Sequence, residues 1–121
     1  MPCVLIVEDD ADLRMMMEYL LQVNGYETTC ACNGLEAFAQ IHLRKPCVVL
    51  LDLHMPVMDG FEFRRRQLTD SHCCAVPIVA ITAHYDPQEV ERQLGITCLH
   101  KPLSIDHVVH EVERACGETR G

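Results

Sequence analysis

Short, uninterrupted apolar runs constrain this chain more than any other feature. Cys3–Val7, Cys47–Leu51 and Val76–Ile81 carry no charged residue, as strands buried on both faces require. Tyr26–Cys32 reads as a second strand in chain order and Thr97–His100 as a short fifth one. Between the runs the apolar period changes. Leu13, Met16, Met17, Leu20 and Leu21 fall at helical spacing, and Asn24-Gly25 stops that helix. Asn33-Gly34 opens a helix carrying Leu35, Phe38, Ile41 and Leu43, which ends before Pro46. Gly60 to Thr69 is a helix whose outer face is basic through Arg64, Arg65 and Arg66. Asp86-Pro87-Gln88-Glu89 starts a fourth helix, with Asp86 as cap and Glu89 able to close a capping box. Ser104 caps the last helix, whose apolar face is Ile105, Val108, Val109 and Val112. Five strands alternating with five helices imply an α/β fold, a parallel sheet covered on both faces with right-handed crossovers.

Bulk properties narrow the functions such a fold can serve. The 121 residues fit a single domain over 1–121. A formal net charge of −8 argues against direct nucleic-acid binding, because phosphate backbones need a basic patch. No apolar run reaches the roughly 20 residues of a membrane span. The start meets Glu8, Asp9 and Asp10 without a basic region before it, unlike a signal peptide, so the expected compartment is the cytoplasm. The eight cysteines form no paired C-x₂-C zinc pattern. They are expected to act mainly as small buried hydrophobes, with oxidative sensing or metal binding as the alternatives. The seven histidines are scattered and show no ligand spacing. The segment 117–121 reads as a frayed end.

In a parallel α/β sheet the ligand site lies at the carboxyl ends of the strands. The polar residues there are Glu8 and Asp9 after the first strand, Asp52 after the third, Thr82 after the fourth and Lys101 after the fifth. Any one of them alone is an ordinary turn or helix-start residue. Together they deliver three carboxylates, a hydroxyl and an ammonium to one edge. Three carboxylates at close quarters repel, so a hard cation with oxygen ligands is the natural complement. Mg²⁺ takes one or two carboxylates plus phosphate oxygens, and Lys101 adds a compact charge for the same anion.

Val7-Glu8-Asp9-Asp10, LLDLHMPVMDG at 50–60, Ile81-Thr82-Ala83 and Lys101-Pro102 resemble the receiver domains of two-component response regulators. The resemblance covers nearly the whole chain. It implies a flavodoxin-like doubly wound (βα)5 fold with a five-stranded parallel sheet in the order 2-1-3-4-5. It implies that Asp52 accepts a phosphoryl group from a sensor histidine kinase or phosphotransfer protein, and that the domain assists its own phosphorylation and autodephosphorylation. Asp9 would bind Mg²⁺ directly, Glu8 largely through water, and His54 through its main-chain carbonyl, with Asp52 completing the protein ligands. Thr82 would hydrogen-bond a phosphoryl oxygen, and Lys101 would pair with Asp52 and then with the phosphoryl group. Gly60 is expected to permit unusual backbone angles in the loop after the acceptor. The implied assembly is a monomer or a weak phosphorylation-dependent dimer. The domain would stand alone or form the amino-terminal part of a longer protein.

The chain departs from the family pattern in three ways. Cys98 occupies the place of a switch aromatic, so the usual aromatic coupling should be absent. The stretch from Thr82 to Lys101 is short by roughly one helical turn, which predicts a short, mobile fourth helix. His54 and His84 flank the acceptor at positions that tune dephosphorylation in the family. Two other classes compete with a working receiver. One is a degenerate receiver acting as a constitutive interaction module. The other is a small Mg²⁺-dependent phosphatase, which would need a cap that this length does not accommodate.

Overall fold

The computed structural model describes residues 2–120, and side chains as far as Gly117. The elements alternate along the chain as β1 (Cys3–Val7), α1 (Ala11–Val23), β2 (Glu27–Ala31), α2 (Gly34–Leu43), β3 (Val48–Asp52), α3 (Gly60–Thr69), β4 (Ile78–Thr82), α4 (Pro87–Leu94), β5 (Thr97–His100) and α5 (Ile105–Arg120). The sheet runs β2-β1-β3-β4-β5, and every neighbouring pair is parallel. This is the doubly wound architecture and strand order expected from the sequence. Strands β2, β3 and β4 each sit one or two residues inside or beyond the apolar runs that announce them. Helix α5 continues through Arg120, where a frayed end was expected, and Gly121 lies outside the described residues. No helix among the described residues is long and apolar enough to cross a membrane.

The apolar strands explain why the sheet is covered twice. Alternate side chains of β1, β3 and β4 point to opposite faces, and all residues of these strands are buried. On one face Leu5, Val7, Val49, Leu51 and Ala80 pack against Ala37 and Ile41 of α2, Phe63 of α3 and Val90 of α4. On the other, Val4, Ile6, Leu50 and Ile81 pack against Met17 and Leu21 of α1 and Val108 and Val112 of α5. The helical faces are narrower than the apolar pattern suggests. Met16, Leu35 and Leu43 are exposed, because a single sheet face accepts only the central stripe of each helix.

Helix ends follow the local chemistry. Asp10, Asn33, Asp59 and Asp86 each cap a helix by accepting main-chain N–H groups. Gly95 closes α4 in the left-handed region at φ 68°. Glu89 pairs with Arg92 at 3.0 Å.

Helix α4 has eight residues, as short as expected, and it is held at several points. Val90 is buried, Glu91 Oε2 accepts the Cys98 N–H at 2.9 Å, and the Leu94 carbonyl accepts Arg64 Nε at 3.1 Å. Arg64 therefore does not belong to the basic outer face of α3. It turns inward, and its Nη1 also donates to Gln67 Oε1 at 2.7 Å.

Gln67 is the principal polar residue of the interior that the sequence pattern hides. It is fully buried, and its Nε2 donates to the carbonyls of Cys73 and Val76, each at 3.0 Å. The amide thereby shapes the connection from α3 to β4. Two cysteines also leave the role of small hydrophobes, since Cys47 and Cys116 form a disulfide between the start of β3 and α5. Cys3, Cys73 and Cys98 are free and buried. Replacing Gln67 with leucine keeps the volume but strands two buried carbonyls. We expect Gln67→Leu to lower unfolding free energy by about 2–4 kcal/mol, read from urea denaturation. An unchanged midpoint would show that water replaces the amide.

Candidate functional site

The carboxyl ends of β1, β3, β4 and β5 converge on a cleft of about 260 Å³ lined by Glu8, Asp9, Asp10, Asp52, His54, Ala83, His84 and Lys101. The sheet register produces this convergence. Val7 lies opposite Leu51, Asp52 opposite Ile81 and Thr82 opposite His100. Asp52 and Thr82 are therefore the last residues of their strands, Glu8 and Lys101 the first beyond theirs, and Asp9 follows Glu8.

Lys101 is the electrostatic centre. Its Nζ lies 2.9 Å from Glu8 Oε1 and 3.4 Å from Asp52 Oδ2. Burial works against its charge, but Glu8 and Asp52 outweigh that and hold the ammonium above its ordinary value. One ammonium does not balance the carboxylates around it. Glu8 is only 1% exposed, and burial, then contact with Asp52, push its carboxyl up to about 8 against the pull of Lys101. The main chain on either side is fixed, because the Glu8 carbonyl accepts Arg14 Nη1 at 2.8 Å and its N–H donates to Ala31 at 3.0 Å.

Oxygen ligands are available for a hard cation. Carboxylate oxygens of Glu8, Asp9 and Asp52 lie within 4.8 Å of one another. Glu8 Oε2 is a buried oxygen without a hydrogen-bond partner, and such an atom is costly unless something positive meets it. Asp9 is exposed at the cleft mouth. The residues present thus fit Mg²⁺, which prefers oxygen and retains waters.

Asp52 is held from both sides, with its Oδ1 accepting the His54 N–H at 3.2 Å. Thr82 does not line the cleft. It is buried, and its Oγ1 accepts the N–H groups of His84 and Tyr85 at 3.1 and 3.0 Å. Two accepted bonds leave the hydroxyl hydrogen free to donate. The His54 and His84 rings stand 4.7 Å apart and tilted by 56°, one from each loop bordering Asp52. Tyr85, which the sequence pattern does not single out, packs edge-on against Phe61 of α3 at 5.1 Å.

The loop after Asp52 shows why its residues are demanding. Gly60 does not need positive φ, contrary to expectation; it begins α3. It needs space, since a Cβ there would meet Leu53 Cδ2 at 2.6 Å and Leu53 Cα at 2.7 Å. The left-handed residue is Val57, at φ 69°, in a tight turn where the Met58 N–H donates to the Pro56 carbonyl at 2.7 Å. A β-branched residue there stores about 1–2 kcal/mol of strain. Met58 anchors the turn by packing its side chain over Gly34.

Residues 4–113 match the model of the response regulator receiver domain, and the chain belongs to that family. It is 31% identical over 112 residues to sporulation initiation phosphotransferase F of Bacillus subtilis, covering 92% of this chain and 90% of that protein. Among solved structures, chemotaxis protein CheY4 of Vibrio cholerae superposes with a TM-score of 0.85 at 32% identity, covering 95% of this chain and 98% of that one. The receiver domain of sensor histidine kinase PA1611 from Pseudomonas aeruginosa, with magnesium coordinated in its active site cleft, gives a TM-score of 0.85 at 27% identity, covering 96% and 98%. Of two longer curated relatives the chain spans 24% and 31% of the length.

The raised Glu8 carboxyl makes a signed prediction. Between about pH 4.5 and about 8 the native state holds a proton that the unfolded chain has released. Without divalent cation this contribution is present at low pH and lost as pH rises through that window. The stability difference between wild type and Glu8→Gln should therefore move in the variant's favour by a few kcal/mol across it. Parallel urea midpoints for the two proteins from pH 5 to 8 would contradict this.

Proposed function

We propose that this receiver takes a phosphoryl group onto Asp52 in a Mg²⁺-dependent reaction, and the sharing of Lys101 between Asp52 and Glu8 is the observation that carries the reading. The donor is a phosphohistidine on a sensor histidine kinase or phosphotransfer protein. An Asp52 carboxylate oxygen forms the new bond to phosphorus as the phosphorus–nitrogen bond breaks. The departing imidazole nitrogen keeps the electron pair. Phosphoryl transfer spreads charge over the equatorial oxygens, so the protein's task is positioning and electrostatic stabilisation.

The carboxylates of Glu8, Asp9 and Asp52 and the main-chain carbonyl of His54 would hold Mg²⁺. When bound, the cation neutralises carboxylate repulsion and the charge of the phosphoryl oxygens. Lys101 pairs with Asp52 beforehand and follows the charge to the phosphoryl group. Thr82 donates its free hydroxyl hydrogen to a phosphoryl oxygen. His54 and His84 border the path of the water that later hydrolyses the acyl phosphate, and autodephosphorylation belongs to the same proposal. The domain over 1–121 works in the cytoplasm as a monomer or weak phosphorylation-dependent dimer.

Acetyl phosphate and Mg²⁺ test the assignment by intact mass. Wild type should gain one phosphoryl group, Asp52→Asn none, and Asp9→Asn should lose the Mg²⁺-dependent gain. Lys101→Ala should slow uptake by about 10²-fold. Undiminished labelling of Asp52→Asn would place the acceptor on another carboxylate.

The conformational response has a route that needs no aromatic at position 98. Thr82 Oγ1 already holds the N–H groups of His84 and Tyr85, so its movement toward the phosphoryl group draws that loop with it. Hydrogen exchange with the phosphoryl mimic beryllofluoride should show increased protection in residues 83–94. Cys98→Tyr should leave beryllofluoride binding largely unchanged. Unchanged protection in 83–94 with a strong response in α5 would overturn this route.

A further inference from the structure

At the opposite edge of the sheet a second group of donor side chains converges, unrelated to phosphoryl chemistry. Helices in this fold run antiparallel to the strands, so the end of α2 and the end of α3 both lie away from the acceptor cleft. His42 sits near the end of α2, Asp70 caps the end of α3, and Cys73 follows in the connection to β4. One ligand atom from each lies within 4.8 Å of the others. His42 Nε2 stands 3.7 Å from Asp70 Oδ2. His72 stacks on His42, with ring centroids 4.5 Å apart and an interplanar angle of 11°. The scattered histidines thus acquire a metal-ligand arrangement that no spacing in the sequence displays.

We propose that His42, Asp70 and Cys73 bind a zinc ion, with His72 supplying the fourth ligand. The donor chemistry selects the metal. An imidazole, a thiolate and a carboxylate suit Zn²⁺, whereas Mg²⁺ wants oxygen alone and belongs to the other cleft. With Zn–S about 2.3 Å and Zn–N or Zn–O about 2.0–2.2 Å, ligands of a tetrahedral site stand roughly 3.3–3.7 Å apart. The His42–Asp70 pair already meets that separation. The rest of the set closes with shifts on the order of an ångström, and His72 joins by turning its ring out of the stack.

The surroundings hold these donors in place. Asp70 is oriented by the His72 N–H, which donates to its Oδ1 at 2.8 Å. Its main-chain carbonyl accepts the N–H groups of Cys73 and Cys74 at 3.1 and 2.9 Å. Gln67 fixes the Cys73 carbonyl from beneath. Such outer contacts are what keep metal ligands in position. On binding, the Cys73 sulfur exchanges its proton for the metal, and the proton passes to solvent. The bound ion would fasten α2 to the connection between α3 and β4 without occupying the acceptor cleft.

Cobalt titration of the full chain, stripped with chelator and kept anaerobic, tests the site. One equivalent of Co²⁺ should give a thiolate-to-cobalt charge-transfer band and the intense visible bands of tetrahedral coordination, and Zn²⁺ should displace it. Cys73→Ser and His42→Ala should each abolish the charge-transfer band or weaken binding at least about tenfold. The His42 side chain is 52% exposed, so His42→Ala reports on ligation even where Cys73→Ser disturbs packing. Cys74→Ser, the double variant Cys30→Ser with Cys32→Ser, and Asp9→Asn should leave the band intact. An unaltered spectrum in both His42→Ala and Cys73→Ser would overturn the proposal, as would loss of the band in the Cys30 and Cys32 variant.

Discussion

One ammonium facing too many carboxylates is the constraint around which this receiver is organised. Lys101 reaches both Glu8 and Asp52, yet Glu8 still keeps a buried oxygen without a partner. Removing a charge from water is expensive unless it is paired and hydrogen-bonded. The imbalance therefore persists only because the surrounding structure imposes it. Its chemical meaning is a site short of positive charge, which both a divalent cation and a proton relieve. Under the proposed function, the same shortage would let the Asp52 carboxylate act as a nucleophile only when cations gather around it.

The sheet imposes this arrangement. Strands β1, β3 and β4 are buried along their whole length, so a slip of one residue would exchange the side chains that each face packs around and draw a charged strand end into the core. Register is thus set by the apolar core, and the polar residues just past it inherit fixed positions. Family membership agrees with this logic, since a solved structure 32% identical superposes over 95% of the chain with a TM-score of 0.85.

Much of this is legible in the sequence because it depends on periodicity and on strand ends. The five strands, the helix starts at Asn33 and Asp86, and the convergence of Glu8, Asp9, Asp52 and Lys101 all follow from local pattern joined to topology. What escapes depends on contacts between segments that no local pattern links. Gln67 looks like a surface residue in a polar helix, and only the bend from Cys73 to Val76 makes it a buried scaffold. Arg64 sits in a run of three arginines, and only the end of α4 distinguishes it. Cys47 and Cys116 are 69 residues apart, and nothing local pairs them. Gly60 shows the limit differently. Its importance is visible, but the reason is the approach of Leu53 and not a backbone angle.

The short fourth helix then acquires a structural meaning. In place of an aromatic at position 98, main-chain contacts join the elements. The Cys98 N–H is held by Glu91, the last carbonyl of α4 by Arg64, and Arg64 in turn by Gln67, which grips Cys73 and Val76. A continuous hydrogen-bonded line therefore runs from α4 to the far edge of the sheet. Such a line transmits nothing unless some element along it has two arrangements. The buried strands are not that element, because packed cores resist continuous deformation. The loop after Thr82 is better suited. It is exposed from Ala83 to Asp86, and it hangs on the Thr82 hydroxyl, which under the proposed function would follow the charge on Asp52. Phosphorylation would bias that loop first, and α4 would pass the change on to its carboxyl end, which Glu91 and Leu94 tie to Cys98 and Arg64.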